Sequence, residues 1–306
     1  MKVLTPFGLF LSKSSKIRWL SQDTSPKSIP EAYRENERVW GLLRRAISEK
    51  PNVLIVGAGK ESDFSSISAK TSDWLRVGIQ YTNFNHELNV DVIGGNHIAL
   101  LEASALSDGA SSRLILHGVG SLVPSVLLNS CTVRWADPFI HVKWPGGSPT
   151  VQLAAEFISK NTCGPVPLVL ASQNSLFMLA MVAIHLGAKT IAFTGVDPLN
   201  PVYFFENDFT LISHIISALA STDPWLGEWD GVNERIPLLH RSTAHRTLSM
   251  FPFIISGRSA VGDPERLLTM RRGLEFFLSL ANYSSIDVGY FGTSSFMDEL
   301  GIEKYG

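Results

Sequence analysis

The run SQNSLFMLAMVAIHLGAKTIAFTGVDP, from Ser172 to Pro198, admits few folds. It predicts a polar turn, an apolar helix, a glycine stop and a buried strand ending at Gly195-Val196-Asp197. Ala, Leu, Met and Ile fill most positions from Leu176 to Leu186, which favours helix, and Gly187 follows where a left-handed residue ends one. Asn174 or Ser175 can cap its start. TIAFTG has the length and β-branched content of a core strand, so Asp197 falls just past its carboxyl end. Open α/β sheets bind ligands at that edge.

Upstream, strands and helices alternate. NVLIVG reads as a strand, SDFSSISAK as a short helix, WLRVGI and VDVIGG as strands, and HIALLEASAL as a helix. RLILHG is a fourth strand, CTVRW a fifth, TVQLAAEFISK a helix and PLVLAS a sixth strand. Such alternation predicts an α/β fold, a Rossmann-like parallel sheet with helices on both faces. Before it, residues 30 to 49 form an amphipathic helix: Pro30 suits the first turn, acids crowd the start and Arg44, Arg45 and Lys50 the end. Val39, Leu42, Leu43, Ala46 and Ile47 share one face, which packs on the domain that follows.

The alternation fails between Pro198 and Asp263, where Trp225, Trp229, Pro224, Pro237 and Pro252 fall without clean strand periods. A stretch this long inside a compact domain is a lid or a small subdomain. DPERLLTMRRGLEFFLSLANY then resumes as a helix started by Asp263 and Pro264, and SIDVGYF supplies a last strand. The chain thus divides into an N-terminal arm and helix (1–50), a nucleotide-binding core (51–197), an inserted lid or acceptor subdomain (198–262) and a C-terminal return to the core (263–306).

Composition removes other classes. A net charge of −2 gives no reason to bind nucleic acid or to seek anionic membranes. Cys131 and Cys163 are too few for a disulfide scaffold or a cysteine-built zinc site, which points to a reducing cytoplasm. No apolar run reaches the roughly 20 residues that span a bilayer. MKVLTPFGLFLSKSSK sets an apolar patch before basic residues, the reverse of a secretory signal, and reads as a packed arm that leaves peripheral membrane contact and a homo-oligomer open.

Loops at the carboxyl edge carry the candidate site. Gly57-Ala58-Gly59-Lys60-Glu61-Ser62 follows the first strand; its glycines let backbone N–H groups approach a phosphate or ribose, with a helix start near Ser62 behind them. A tight strand-to-helix turn is the plainer reading, because the G-x-G-x-x-G spacing stops at Ser62. The second loop holds Gln80, Tyr81, Asn83 and Asn85, with no acid to grip a ribose diol, which argues against a nicotinamide dinucleotide. The third is Gly94-Gly95-Asn96-His97, where Asn96 either faces a ligand or caps the next helix.

A G-x-G turn after the first strand, amides after the second, Asn after the third and the cassette from Ser172 to Asp197 together resemble the small bacterial sialyltransferases. The pattern is also similar to their relatives, the motility-accessory glycosyltransferases and the hydroxymethylpterin diphosphokinase-like proteins. The likeness runs from Asn52 to Phe205, with IDVGYFGTSSFMDELGI like the family's closing strand and serine-containing loop. It implies a metal-independent inverting glycosyltransferase that moves a nonulosonic sugar from a CMP-activated donor to a glycan or lipid hydroxyl, with no cofactor beyond that donor. By the same resemblance, Gly57 and Gly59 face the nucleotide, Gln80 and Asn96 occupy the amide positions, and Ser172, Asn174 and Ser175 contact the donor. Asp197 holds the nucleotide side and Tyr203 hydrogen-bonds the departing phosphate. The family's lid histidine, the general base, corresponds to His245 or His240, and a helix-like run follows His245 as in the family. The chain departs from the pattern at Ala58, where the family often has Asn, at Gly59-Lys60-Glu61-Ser62, where it has G-P-S-L, and in lacking an arginine before the central helix.

Other constellations compete. His117 ends a strand and is a reserve base, whereas His185 and His214 sit on helices where packing is the commoner role. No His, Cys and carboxylate set has metal-ligand spacing; Glu206 and Asp208 either hold Mg²⁺ or edge a solvated lid. An ATP/Mg²⁺-dependent diphosphokinase is the alternative enzyme, a methyltransferase ranks below it because Gln80 replaces the expected acid, and a non-catalytic nucleotide-binding subunit of the same fold stays open.

Overall fold

A computed structural model of the chain describes residues 29–205, with interruptions at 62, 80–81, 83, 86, 96–112, 119–128, 137, 140–148, 162–165, 172–173 and 200–201, then 208, 211 and 264–305. Five strands run in sequence across the first half: β1 (Asn52–Val56), β2 (Leu75–Ile79), β3 (Val92–Gly95), β4 (Leu114–His117) and β5 (Ser130–Thr132). Each pairs in parallel with the next. The chain then crosses back: β8 (Thr190–Thr194) pairs with the other side of β1, β9 (Asp287–Tyr290) with β8, and β10 (Glu303–Lys304) with β9. The result is an eight-stranded parallel sheet in the order β10-β9-β8-β1-β2-β3-β4-β5, the α/β architecture expected from the alternation.

Strand alternation divides the core into two faces. Val53, Ile55, Val77, Ile191 and Phe193 point to one side, and Leu54, Val56, Ile93, Ile115 and Ala192 to the other. Both faces are dry, so the strands read as continuous apolar runs, and each fully buried Leu, Ile or Phe contributes about 1.5–3 kcal/mol. The second face is covered in part by Phe64 and Ile67 of α2 (Phe64–Lys70), whose start is capped by Asp63 accepting from Ser66 N at 2.8 Å. The first face carries α1 (Ile29–Glu49), with Val39, Leu43 and Ile47 buried as the helical spacing predicts.

The central helix on that first face, called α4 here after α3 (Val151–Asn161), runs from Ser175 to His185. Leu176 through Ala183 are all buried, because the helix lies beneath β1, β2, β3 and β7 (Leu168–Leu170). It comes close enough that a Cβ on Gly94 would meet Leu179 Cδ2 at 2.2 Å. Gly187 ends it at φ +88°, and Ala188 N donates back to Ala183 O at 3.0 Å. The long helix after the insertion, α5 (Pro264–Tyr283), packs on α3 and α4.

CTVRW is not one strand. It breaks at Val133 into β5 and β6 (Arg134–Ala136), because its hydrogen-bond partners change there: Val133 N donates to His117 O, but Arg134 N donates to Pro167 O, and β6 pairs with β7 as a separate two-stranded sheet. Asn36, buried on α1, fills the role of a neighbouring strand. Its Oδ1 accepts Thr132 N at 2.5 Å and its Nδ2 donates to Thr132 O at 3.1 Å. HIALLEASAL, the Asp263 cap and nearly all of the irregular stretch lie outside the described residues. No described helix is long and apolar enough to cross a membrane.

Candidate functional site

The sheet order reverses between β1 and β8, and a doubly wound fold binds its ligand outside the strand ends at such a point. Here that crevice is closed by backbone. Gly57 N donates to Thr194 O at 2.7 Å and Gly59 N to Gly195 O at 2.8 Å. A Cβ on Gly57 would sit 2.2 Å from Gly195 O, and Gly195 itself has φ +64°, so the three glycines exist for mutual approach.

A second strip of chain lies over the same loop. Lys60 N donates to Val202 O at 2.7 Å, Phe204 N donates to Ala58 O at 3.0 Å, and Gly59 and Tyr203 form an antiparallel bridge. Phe205 anchors this strip: it is fully buried, and Tyr203 stacks on it at 5.3 Å between ring centroids. The N–H groups of Gly57, Gly59 and Lys60 are therefore engaged within the chain and do not form a phosphate cradle. Of the two readings of this turn, its hydrogen bonds fit the tight strand-to-helix turn, and Gly59 and Tyr203 are brought together.

Charge points the same way. Glu61, unassigned from sequence, is buried against the crevice: its Oε1 accepts Gly195 N at 3.0 Å, and its Oε2 accepts Thr293 N at 2.9 Å and Thr293 Oγ1 at 3.3 Å. Burial pushes its carboxyl above the usual range, against the opposing pull of the Thr293 and Gly195 hydrogen bonds. Gly292, at φ +88°, makes room, since a Cβ there would meet Glu61 Oε2 at 2.2 Å. The side chains that border this turn, Glu61 and Asp63 at the start of α2, are acids rather than bases.

Asp197 and Ser294 complete the seam. Asp197 Oδ1 accepts Leu199 N at 3.2 Å and Oδ2 accepts Ser295 N at 3.1 Å, at the start of α6 (Ser295–Glu299). Ser294 Oγ donates to Val196 O at 2.6 Å and accepts Met297 N at 3.2 Å. The turns after β1, β8 and β9 are thus one hydrogen-bonded unit. Removing Glu61 with Ala leaves the Gly195 and Thr293 donors without their acceptor and is expected to lower unfolding free energy by about 2 kcal/mol in urea titrations. Glu61→Gln, which keeps one acceptor, should lose about half as much; unchanged midpoints in both variants would remove this role.

Among the described residues, the carboxyl edge also presents the amino end of α4. Asn174 caps it in an extended conformation, its Oδ1 accepting Leu176 N at 2.8 Å, and the first turn carries no acid. Asn174 and Ser175 are half-buried there. Eleven residues of aligned peptide give this end a positive pole under the middle of the sheet.

His117 closes β4 and is fully buried; burial pushes its imidazole down to about 4, so it is neutral at ordinary pH. His185, in the last turn of α4, is pushed down to about 4 by the same cause. Asn85 is buried after β2, its Oδ1 accepting Glu87 N at 3.0 Å. Gln80, Asn96, Ser172, His240, His245 and Glu206 lie outside the described residues, and Asp208 is exposed, with Oδ1 accepting Leu211 N at 2.9 Å. Among the described residues, no three His, Cys, Asp or Glu side chains are grouped to hold a metal ion.

No family model, curated protein or solved structure matches the chain.

Proposed function

We propose that the chain is an inverting glycosyltransferase that moves a nonulosonic, sialic-acid-like sugar from a CMP-activated donor to a glycan or lipid hydroxyl without a metal. The observation that carries the reading is the Asn174-capped end of α4 at the carboxyl edge, beside a G-x-G turn closed by its own chain and bordered by carboxylates. An anion is received there by a helix pole and neutral amide and hydroxyl groups. A donor with one carboxylate and one phosphodiester suits such a site better than a triphosphate, which calls for a dense basic or metal-bearing loop.

In this reading Asn174, Ser175 and Ser172 hold the donor's anionic groups, and Gln80 and Asn96 supply neutral contacts from the turns after β2 and β3. Tyr203, set at the mouth by its bridge to Gly59, donates its phenol to the phosphate as CMP departs. Asp197 acts at one remove, by fixing the turn after β8 against α6. The acceptor hydroxyl attacks the anomeric carbon from the side opposite CMP, and a lid histidine, His245 or His240, takes its proton. In this reading the enzyme works in the cytoplasm, with peripheral membrane contact and a homo-oligomer left open.

Calorimetry and thermal shift with CMP, CDP, UDP, ATP and S-adenosylmethionine, each with and without Mg²⁺, test the reading. CMP should bind saturably without Mg²⁺ and raise stability by about 2.7 kcal/mol at a hundred times its Kd. Binding of ATP alone, and only with Mg²⁺, would replace this reading with the diphosphokinase.

A further inference from the structure

Among the described residues, three buried polar atoms without a hydrogen-bond partner stand toward the carboxyl ends of different strands: Thr82 Oγ1 over β2, His117 Nε2 on β4 and Thr194 Oγ1 on β8. Trp40 Nε1, on α1, lies away from this edge. The three share the face that α2 covers. Ile115 and Ala192, two residues before His117 and Thr194, belong to that face's core, and Thr82 Oγ1 occupies the hollow over Gly78 beside Val90 of the same core. Native proteins rarely bury unpaired polar atoms, and each such atom at this edge points to a missing partner.

His117 is the most constrained of them. Its Nδ1 lies 3.3 Å from Thr132 Oγ1, and the Thr132 backbone is held from both sides by Asn36. Its register neighbour on the other side is Gly95, which has no side chain to fill the space beside the ring. The tautomer follows from hydrogen-bond accounting. If the Thr132 hydroxyl donates to Nδ1, the ring proton sits on Nε2; the reverse assignment leaves that hydroxyl proton buried without an acceptor. Burial keeps the ring neutral, so Nε2–H is an uncharged donor aimed away from β5.

We propose that His117 is a ligand-binding residue, a neutral imidazole that donates Nε2–H to an anionic oxygen of the ligand, carboxylate or phosphate. The identity of that ligand as a CMP-activated sugar rests on the function proposed above. The imidazole stands on the opposite face of the sheet from α4, and its hydrogen bond is cut off from bulk water and so strengthened by its surroundings.

Nitrogen NMR of ¹⁵N-histidine-labelled protein, with His117 assigned through H117Q, tests this with three probes: CMP, inorganic phosphate and N-acetylneuraminate. The free protein should show the Nε2–H tautomer. CMP and phosphate should move the Nε2 resonance if the bound oxygen is phosphate, and N-acetylneuraminate if it is carboxylate. H117Q should weaken the effective probe about tenfold. An Nδ1–H tautomer overturns the proposal. So does an Nε2–H resonance that no probe moves, which would assign its partner as a buried water only, and so does an unchanged affinity in H117Q. If H117Q does not fold, Thr132→Val serves instead; it should mix the tautomers and weaken the same probe severalfold, and unchanged affinity is again fatal. Calorimetric CMP binding with an unmoved His117 sinks this proposal alone, whereas an Nε2 response to phosphate or N-acetylneuraminate in a protein that does not bind CMP sinks the sugar-nucleotide reading alone.

Discussion

Gly57→Ala is expected to destabilise the protein by about 3 kcal/mol or more, because the added methyl meets backbone rather than a movable side chain. The nearest atom, Gly195 O, would lie 2.2 Å away, and Val196 Cγ2 and Gly195 C follow at 2.7 and 2.9 Å. Relief requires β1 and β8 to part at their ends, which stretches the Gly57 N to Thr194 O hydrogen bond and loosens the hold of Glu61 on Gly195. Gly41→Ala is the matched control. Gly41 is exposed within α1 and has nothing within 4 Å of its would-be Cβ, so the same methyl should stabilise by about 0.5–1 kcal/mol through helix propensity. Urea midpoints of the two variants should move in opposite directions; a Gly57→Ala midpoint within error of the parent would mean that the crevice opens freely.

Acidification should weaken the fold through His117. Its pKa falls from the ordinary 6.5 to about 4 on burial, so the unfolded chain takes up a proton in a range where the folded chain does not. Stability from this group is complete above pH 6.5 and is lost as pH falls toward 4, by about 2 kcal/mol at pH 5 and about 3 kcal/mol at pH 4. His185 is shifted in the same direction and adds to the loss, although its place in the last turn of α4 favours the charged ring. Glu61 runs the other way. Its pKa is raised, so its contribution recovers as pH drops, and the net curve is shallower than the histidines alone would give. Comparing unfolding free energies at pH 7 and pH 5 for the parent and H117N isolates the effect: the variant should lose about 2 kcal/mol less over that interval. Equal losses would place the His117 side chain in contact with water.

Much of the sheet was legible because its strands are short apolar runs bounded by turn residues, and burial on both faces demands such runs. NVLIV, LRVGI and TIAFT needed no partner to be recognised. The break at Val133 was not legible, because CTVRW is uniformly strand-like and its change of partner is set by His117 on one side and Pro167 on the other. Nothing local marks Asn36 on its helix, because its partner, Thr132, is 96 residues away. The candidate site divides similarly. The Asn174 cap is local and could be read, whereas the use of the G-x-G turn could not. The spacing of Gly57 and Gly59 is the same whether they approach a phosphate or the backbone of Gly195, and only the fold distinguishes the two. The role of Glu61 is hidden for a related reason, since Thr293, which holds it, lies 232 residues along the chain.

The strand order also dictates when, during synthesis, the sheet can close. β1 through β5 are complete once Thr132 has left the ribosome, and β8 joins them at Thr194, yet β9 arrives only at Asp287. For that whole interval the outer rim of β8 carries unpaired N–H and C=O groups beside the apolar Ile191 and Phe193, a template for pairing with another nascent copy. The turn after β9 then locks the rim through Thr293 and Ser294, so a ribosome stalled before Asp287 should release an aggregating species and one stalled after Ser294 a soluble one.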